Sequence, residues 1–164
     1  MVMSYWNVAV VPMQRKSDSM KWLVAILVLA VVFVSGCPKE PPTTKLMDIC
    51  KGVARCYNGT ITRIVDGDTL YVNNDSIRLA LVDAPENDKD AADFVSSICP
   101  VGSTAIVDED DGQTSGSYGR IVAVVYCNNK NLNAELISKG YATVYVEFCD
   151  ISEFTFEDWV KNEC

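Results

Sequence analysis

The 164-residue chain contains no histidine. It therefore lacks the side chain most suited to proton transfer near neutral pH, and any histidine-activated nucleophile or histidine-ligated metal is excluded. No two of its seven cysteines, at positions 37, 50, 56, 99, 127, 149 and 164, stand in a C-x-x-C pair, so zinc-ligand spacing is absent as well. Cations are scarce: 14 lysines and arginines face 22 aspartates and glutamates, a net charge of −8. From Cys37 onward the balance is 11 against 21, or −10. Polyanion binders usually carry a basic face, and with this balance long-range attraction to a polyanion is poor. The apolar run from Trp22 to Val34 has 13 residues, short of the roughly 20 that span a bilayer.

That run follows Lys21 and ends at Val34-Ser35-Gly36-Cys37. Its length suits the apolar region of a signal peptide, with an uncleaved anchor as the alternative. The small residues before Cys37 look like a lipoprotein cleavage site, which would leave Cys37 as a lipidated first residue. Met20-Lys21 offers a second possible start. Either reading puts the following domain outside the cytoplasm, on the outer face of the cell membrane. CPKEPPTT, from Cys37 to Thr44, has three prolines in eight residues and reads as a semi-rigid tether. Three segments result: a signal or anchor over 1–36, a tether over 37–47 and a folded domain over 48–164. If Cys37 carries lipid, six cysteines remain, an even number that fits three disulfides in an exported protein.

The domain is organised around Gly59 to Glu86. Residues 60–65 are rich in β-branched side chains and stop at the turn Asp66-Gly67-Asp68. Residues 69–72 form a second strand, Asn73-Asn74-Asp75 a tight connection, and 77–82 a third strand. With a period of two, Ile77, Leu79 and Leu81 share one face of that strand, and Arg78 and Ala80 the other. Pro85 stiffens the corner that carries Asp83, the Ala84 carbonyl and Glu86. Carboxylate and carbonyl oxygens are the ligands that hard cations such as Ca²⁺ take. Acidic corners flanking a strand-borne arginine make a metal-and-phosphate constellation.

Further along, residues 90–98 have helical spacing, with Cys99-Pro100 ending the run. Strands are expected over 103–107 and 121–126, joined by the acidic loop 108–119, with Arg120 at the loop's re-entry. Asn133 is expected to cap a short helix ending before Gly140. A last strand over 144–148 and a closing helix over 155–161, with Phe156, Trp159 and Val160 on one face, complete the chain. Two sequons, at Asn58 and Asn74, are read as turn residues. If Val107 faces Arg120 across the loop, counting outward brings Cys99 or Pro100 opposite Cys127. This favours Cys99–Cys127, with Cys149–Cys164 and Cys50–Cys56 as the other pairs. Pattern alone gives a small β-barrel with helices; five short strands with a helix between the third and fourth suggest a five-stranded Greek-key OB-fold.

The residues Val65-Asp66-Gly67-Asp68-Thr69, Arg78-Leu79 and Asp83-Ala84-Pro85-Glu86 resemble the signature of the staphylococcal nuclease (thermonuclease) family. The likeness continues at Ser117-Tyr118-Gly119-Arg120, at Leu132 to Leu136 and at Gly140-Tyr141-Ala142, and covers roughly residues 56–148. It implies an α+β fold, a five-stranded OB-fold barrel with two to three packing helices behind the N-terminal signal or anchor segment. It also implies a Ca²⁺-dependent nuclease hydrolysing DNA or RNA. In that division of labour Asp68, Asp83 and the Ala84 carbonyl hold Ca²⁺, and Glu86 orients or deprotonates the attacking water. Arg78 and Arg120 grip the phosphate, and Tyr118 contacts base or phosphate. Ser117 stands where the family has a phosphate-contacting lysine, which lowers the expected affinity. Nucleic acid and the membrane are the expected partners, and no protein partner is. The competing reading is a catalytically inactive OB-fold binding or structural lipoprotein; members that lose their chemistry generally lose an arginine or an acid of the set, and all five are present here.

Overall fold

The computed structural model describes residues 49–164. The signal or anchor segment, the tether and Cys37 lie outside the described residues. Five strands close into a barrel: β1 (Cys56–Ile64), β2 (Thr69–Val72), β3 (Asp75–Leu79), then, after β4 (Val82–Asp83) and helix α1 (Lys89–Ile98), β5 (Thr104–Glu109) and β6 (Ile121–Cys127). Short β7 (Lys130–Asn131), helix α2 (Leu132–Ser138) and β8 (Thr143–Val144) follow. The sheet order is β3-β2-β1-β5-β6-β7, and a parallel β3–β6 pairing closes it. Closure satisfies the edge hydrogen bonds that an open sheet of this size would expose. The barrel and its helices agree with the OB-like α+β architecture expected.

β6 reads IVAVVYC because it is buried on both faces. Ala123, Val125 and Cys127 face the barrel core with Ile61, Leu70, Ile77 and Val107. Val122 and Val124 face a second cluster with Ala80, Leu81, Val144, Phe154 and Val160. Asp88 caps α1, its carboxylate accepting from Asp90 N at 2.9 Å and Ala91 N at 3.3 Å. The helix buries Ala91, Val95 and Ile98.

Several local expectations give way to tertiary demands. The third strand does not run to residue 82. It stops at Leu79, Leu81 turns with φ of 56°, and Val82–Asp83 pair with β8 instead. Leu81 thereby joins the second cluster, away from Ile77 and Leu79. Residues 146–148 form a 3-10 turn, not a strand continuation. The closing segment is a 3-10 turn at Glu153–Phe156 followed by further turns, not a helix over 155–161. Phe154, capped by Ser152, is the buried aromatic, whereas Phe156 is 90 % exposed. Asn58 sits inside β1 opposite Ile106, so it is a strand residue; Asn74 does lie in the β2–β3 turn.

Disulfides join Cys50 to Cys56, Cys99 to Cys127 and Cys149 to Cys164, the pairs favoured from the sequence. The register argument for the central pair does not hold, however. Val107 faces Val125, and Cys127 faces Ala105. Cys99 reaches Cys127 because it caps the C-terminus of α1 beside the end of β6.

Asp108 on β5 is fully buried; Lys51 N donates to its Oδ2 at 3.0 Å, and among the described residues its Oδ1 has no hydrogen-bond partner. Burial, with the charges of Glu153 and Asp111 adding to it against the Lys51 hydrogen bond, pushes the carboxyl up to about 6 from an ordinary 3.8. A carboxyl raised in the folded state stabilises fully below its unfolded pKa, and that contribution is lost as pH rises through the folded value. The full shift corresponds to about 3 kcal/mol, most of it realised between pH 4 and pH 7. Asp108→Asn is therefore expected to melt above the parent protein at pH 7.5 and to flatten the pH dependence. Identical melting profiles of the two proteins from pH 4 to 8 would contradict this.

Candidate active site

A cleft of about 570 Å³ opens where the β1–β2 turn, the end of β3, the corner after β4 and the loop before β6 meet. All seven residues expected at the site line it: Asp68, Arg78, Asp83, Ala84, Glu86, Tyr118 and Arg120.

Asp68 is held by its turn. Its N–H donates to Asp66 Oδ1 at 3.0 Å, and its carbonyl accepts from Leu79 N at 2.8 Å, which fixes the turn against β3. Gly67 allows this approach: a Cβ there would stand 2.7 Å from the Cβ atoms of both Ala84 and Ala91. Asp68 is 8 % exposed, and its carboxylate carries three bonds: from Thr69 Oγ1 to Oδ1 at 3.0 Å, and from Ala84 N and Arg78 Nη1 to Oδ2, both at 3.1 Å. Burial raises its proton affinity, while the Arg78 charge and the Ala84 N–H oppose the rise.

Arg78 projects from β3 opposite Thr69. Its Nη1 also donates to the Val82 carbonyl at 2.6 Å, and its Nη2 lies 3.4 Å from Asp83 Oδ1. The Tyr145 ring covers it at 5.9 Å. Asp83 is half exposed, and Glu86 stands exposed beyond Pro85. Arg120 comes from the far side on a two-residue turn, Tyr118 and Gly119, with φ of 52° and 79°. Its Nε donates to the Ser117 carbonyl at 3.1 Å, Nη2 to Ser117 Oγ at 3.3 Å and Nη1 to Thr69 Oγ1 at 3.4 Å. Every one of these acceptors is neutral, so the Arg120 charge meets no carboxylate among the described residues. Tyr118, 99 % exposed, stands on the rim.

A continuous polar chain thus runs Arg120, Thr69, Asp68, Arg78, Asp83. Thr69 links Asp68 to Arg120 in it; the signature motif ends on this residue, directly after Asp68, but assigns it no role. Gln113 and Tyr145 also line the cleft, and only the fold brings them there. Asn133 neither caps a helix nor approaches the cleft. Asn131 caps α2 by accepting from Ala134 N at 3.0 Å, while Asn133 is buried between strands.

The donor set at Asp68, Asp83, Ala84 and Glu86 is oxygen only, which fits a hard cation such as Ca²⁺ and not zinc or copper. A buried carboxylate whose proton affinity is raised is also one that a cation would satisfy. Among the described residues the one group of three acidic or sulfur side chains with ligand atoms within 4.8 Å of one another is Cys50, Cys56 and Asp108. The disulfide between those cysteines leaves no thiolate to bind metal. Asp68 and Asp83 are instead bridged by the Arg78 guanidinium.

Residues 76–159 match the profile of the family described as staphylococcal nuclease homologue. The chain is 32 % identical over 110 residues to Endonuclease YhcR of Bacillus subtilis, covering 54 % of this chain and 9 % of that protein. It is 31 % identical over 111 residues to Endonuclease YncB of the same organism, covering 57 % and 51 %. An uncharacterized protein of Methanocaldococcus jannaschii, MJ1439, is 29 % identical over 140 residues, 65 % of each chain. The chain thus spans less than two thirds of the length of each of these relatives.

Proposed function

The chain belongs to the staphylococcal nuclease family, and from that premise we propose that it is a Ca²⁺-dependent nuclease that hydrolyses phosphodiester bonds of DNA or RNA outside the cytoplasm. The observation that carries the reading is the convergence of two guanidinium groups, Arg78 and Arg120, on a cleft that also holds Asp68, Asp83 and Glu86. Two arginine forks match phosphate oxygens and stabilise the charge that builds on phosphorus as a fifth oxygen adds. Arg120, paired among the described residues with neutral oxygens alone, is available to the phosphate as it stands. Arg78 has to exchange a carboxylate partner for a phosphate oxygen, which couples its engagement to the charge balance at Asp68 and Asp83. Glu86, exposed at the cleft edge, orients a water and takes its proton as the new P–O bond forms and the ester P–O bond breaks. Asp68, Asp83 and the Ala84 carbonyl would hold Ca²⁺, which supplies Lewis-acid polarisation of the phosphate when bound.

Purified domain is expected to degrade single-stranded DNA with Ca²⁺ and to lose that activity with a chelator. Asp68→Asn and Asp83→Asn remove a charged ligand each, so their activity should fall and partly return as Ca²⁺ is raised. Absence of Ca²⁺-dependent cleavage of any nucleic acid by the parent protein would replace this reading with that of a binding module.

The three disulfides support an oxidising compartment. Mass spectrometry of the native protein is expected to find Cys37 as a lipid-modified terminus. An intact Met1 or Met20 terminus on the mature protein would remove the lipid anchor from the proposal.

A further inference from the structure

The outer face of the β1–β2 hairpin carries a feature that lies outside the lining of the cleft. Arg63 on β1 and Tyr71 on β2 are register partners, and the Arg63 guanidinium lies over the Tyr71 ring with Cζ 4.1 Å from its centroid. Arg63 is exposed and Tyr71 half-buried. Arg55 makes a similar contact with Tyr57 at 5.1 Å, but it also pairs with Asp75 at 3.8 Å and Glu109 at 3.3 Å. Arg63 has no ion pair among the described residues.

The surrounding sequence sharpens the contrast. In a chain with a large excess of acid, Arg63 is the only charged residue between Arg55 and Asp66, and Thr69 to Asn74 contains none. A strip free of carboxylates therefore runs along the hairpin into the turn that bears Asp66 and Asp68. Arg63 lies three residues from Asp66, about 10 Å along an extended strand.

We propose that the Arg63–Tyr71 stack is a secondary subsite for an unpaired nucleic-acid strand, holding a nucleotide a few positions from the phosphate in the cleft. A guanidinium plane backed by a tyrosine ring offers its free face to a nucleobase, and its charge attracts the adjoining phosphate. A base must be unstacked from a partner strand to use that face, so the subsite favours single strands. The inference rests on the nuclease reading for what occupies the cleft.

Two probes separate the subsite from the cleft: a 12-nucleotide single strand and the small diester bis(4-nitrophenyl) phosphate. Arg63→Ala is expected to raise KM for the oligonucleotide about 10-fold, in the range found for loss of one stacked base. It should also reduce the salt slope of binding by roughly 0.7, and leave cleavage of the small diester unchanged. Arg63→Lys should retain the salt slope but not the full affinity, and Tyr71→Phe should behave as the parent. An abasic site placed at successive positions should weaken parent binding at one position, and Arg63→Ala should erase that difference. An unchanged oligonucleotide KM in Arg63→Ala overturns the subsite and leaves the nuclease reading intact, as does an equal loss on both substrates. If the parent cleaves neither probe the nuclease reading fails, and anisotropy of the labelled oligonucleotide with parent and Arg63→Ala still decides the subsite: equal affinities overturn it.

Discussion

Arg120→Lys is expected to lower turnover on nucleic acid by about 10² to 10³, the usual cost of removing one preorganised charge donor from a site of this kind. Lysine keeps the charge but loses the planar fork. Arg120 now uses all three nitrogens, and an ammonium cannot hold Ser117 and Thr69 while presenting two parallel donors to phosphate. Because those contacts are only partly buried and none is an ion pair, the melting temperature should change little. Arg78→Lys should match the loss in rate but destabilise more, since its guanidinium ties Asp68, Asp83 and the Val82 carbonyl together. Glu86→Gln, at an exposed position, should reduce turnover by a similar factor with folding intact. Single-turnover cleavage of DNA together with thermal melts of each variant checks all three. Parent-like rates for both lysine variants would show that the cleft is not a phosphodiesterase site.

The largest stability effect is expected away from the cleft, at Asn133. Its side chain is fully buried; Oδ1 accepts from Val125 N at 3.1 Å, and Nδ2 donates to the carbonyls of Ala80 at 2.9 Å and Ala123 at 3.3 Å. It thereby fastens α2 to β6 and to the turn where β3 breaks off, beside the parallel seam that closes the barrel. Asn133→Ala strands the Val125 N–H and the Ala80 carbonyl, whereas the Ala123 carbonyl keeps its bond from Ala80 N at 2.8 Å; each unsatisfied group costs about 1 to 3 kcal/mol. A net loss of about 3 kcal/mol and a drop in melting temperature on the order of 10 °C should follow. Calorimetry of the variant against the parent measures it. A fall of only a degree or two would mean that water or a backbone shift satisfies the freed groups.

Asn133 also marks where local reading fails. From the sequence, an asparagine ahead of a short helical run reads as a cap, because capping is the commonest local use of that side chain. The cap is Asn131, two positions earlier, and Asn133 serves strands that lie 8 to 53 residues away in the chain. Leu81 is a similar case. Alternation carries the third strand through residue 82, yet the chain turns at Leu81 to feed a second core that includes Phe154, which no nearby pattern announces. The same holds for Phe156, which periodicity puts inside and the fold leaves exposed. Cys99–Cys127 shows a correct pairing reached through an incorrect register.

Residue chemistry and short-range geometry were determined by the sequence itself. The Asp66-Gly67-Asp68 turn, Arg78 on a strand, the Pro85 corner and an even set of six cysteines all follow from interactions within a few residues. With Tyr118 and Arg120, read from their own motif, these supplied every residue expected to line the cleft. Tertiary structure alone decided how the charges are shared: that Arg78 bridges Asp68 and Asp83, that Thr69 links Asp68 to Arg120, and that Arg63 stands over Tyr71 with no ion pair among the described residues. Hydrogen bonds and ion pairs between strands depend on register and barrel closure, and those are set by which apolar faces pack together across the whole chain.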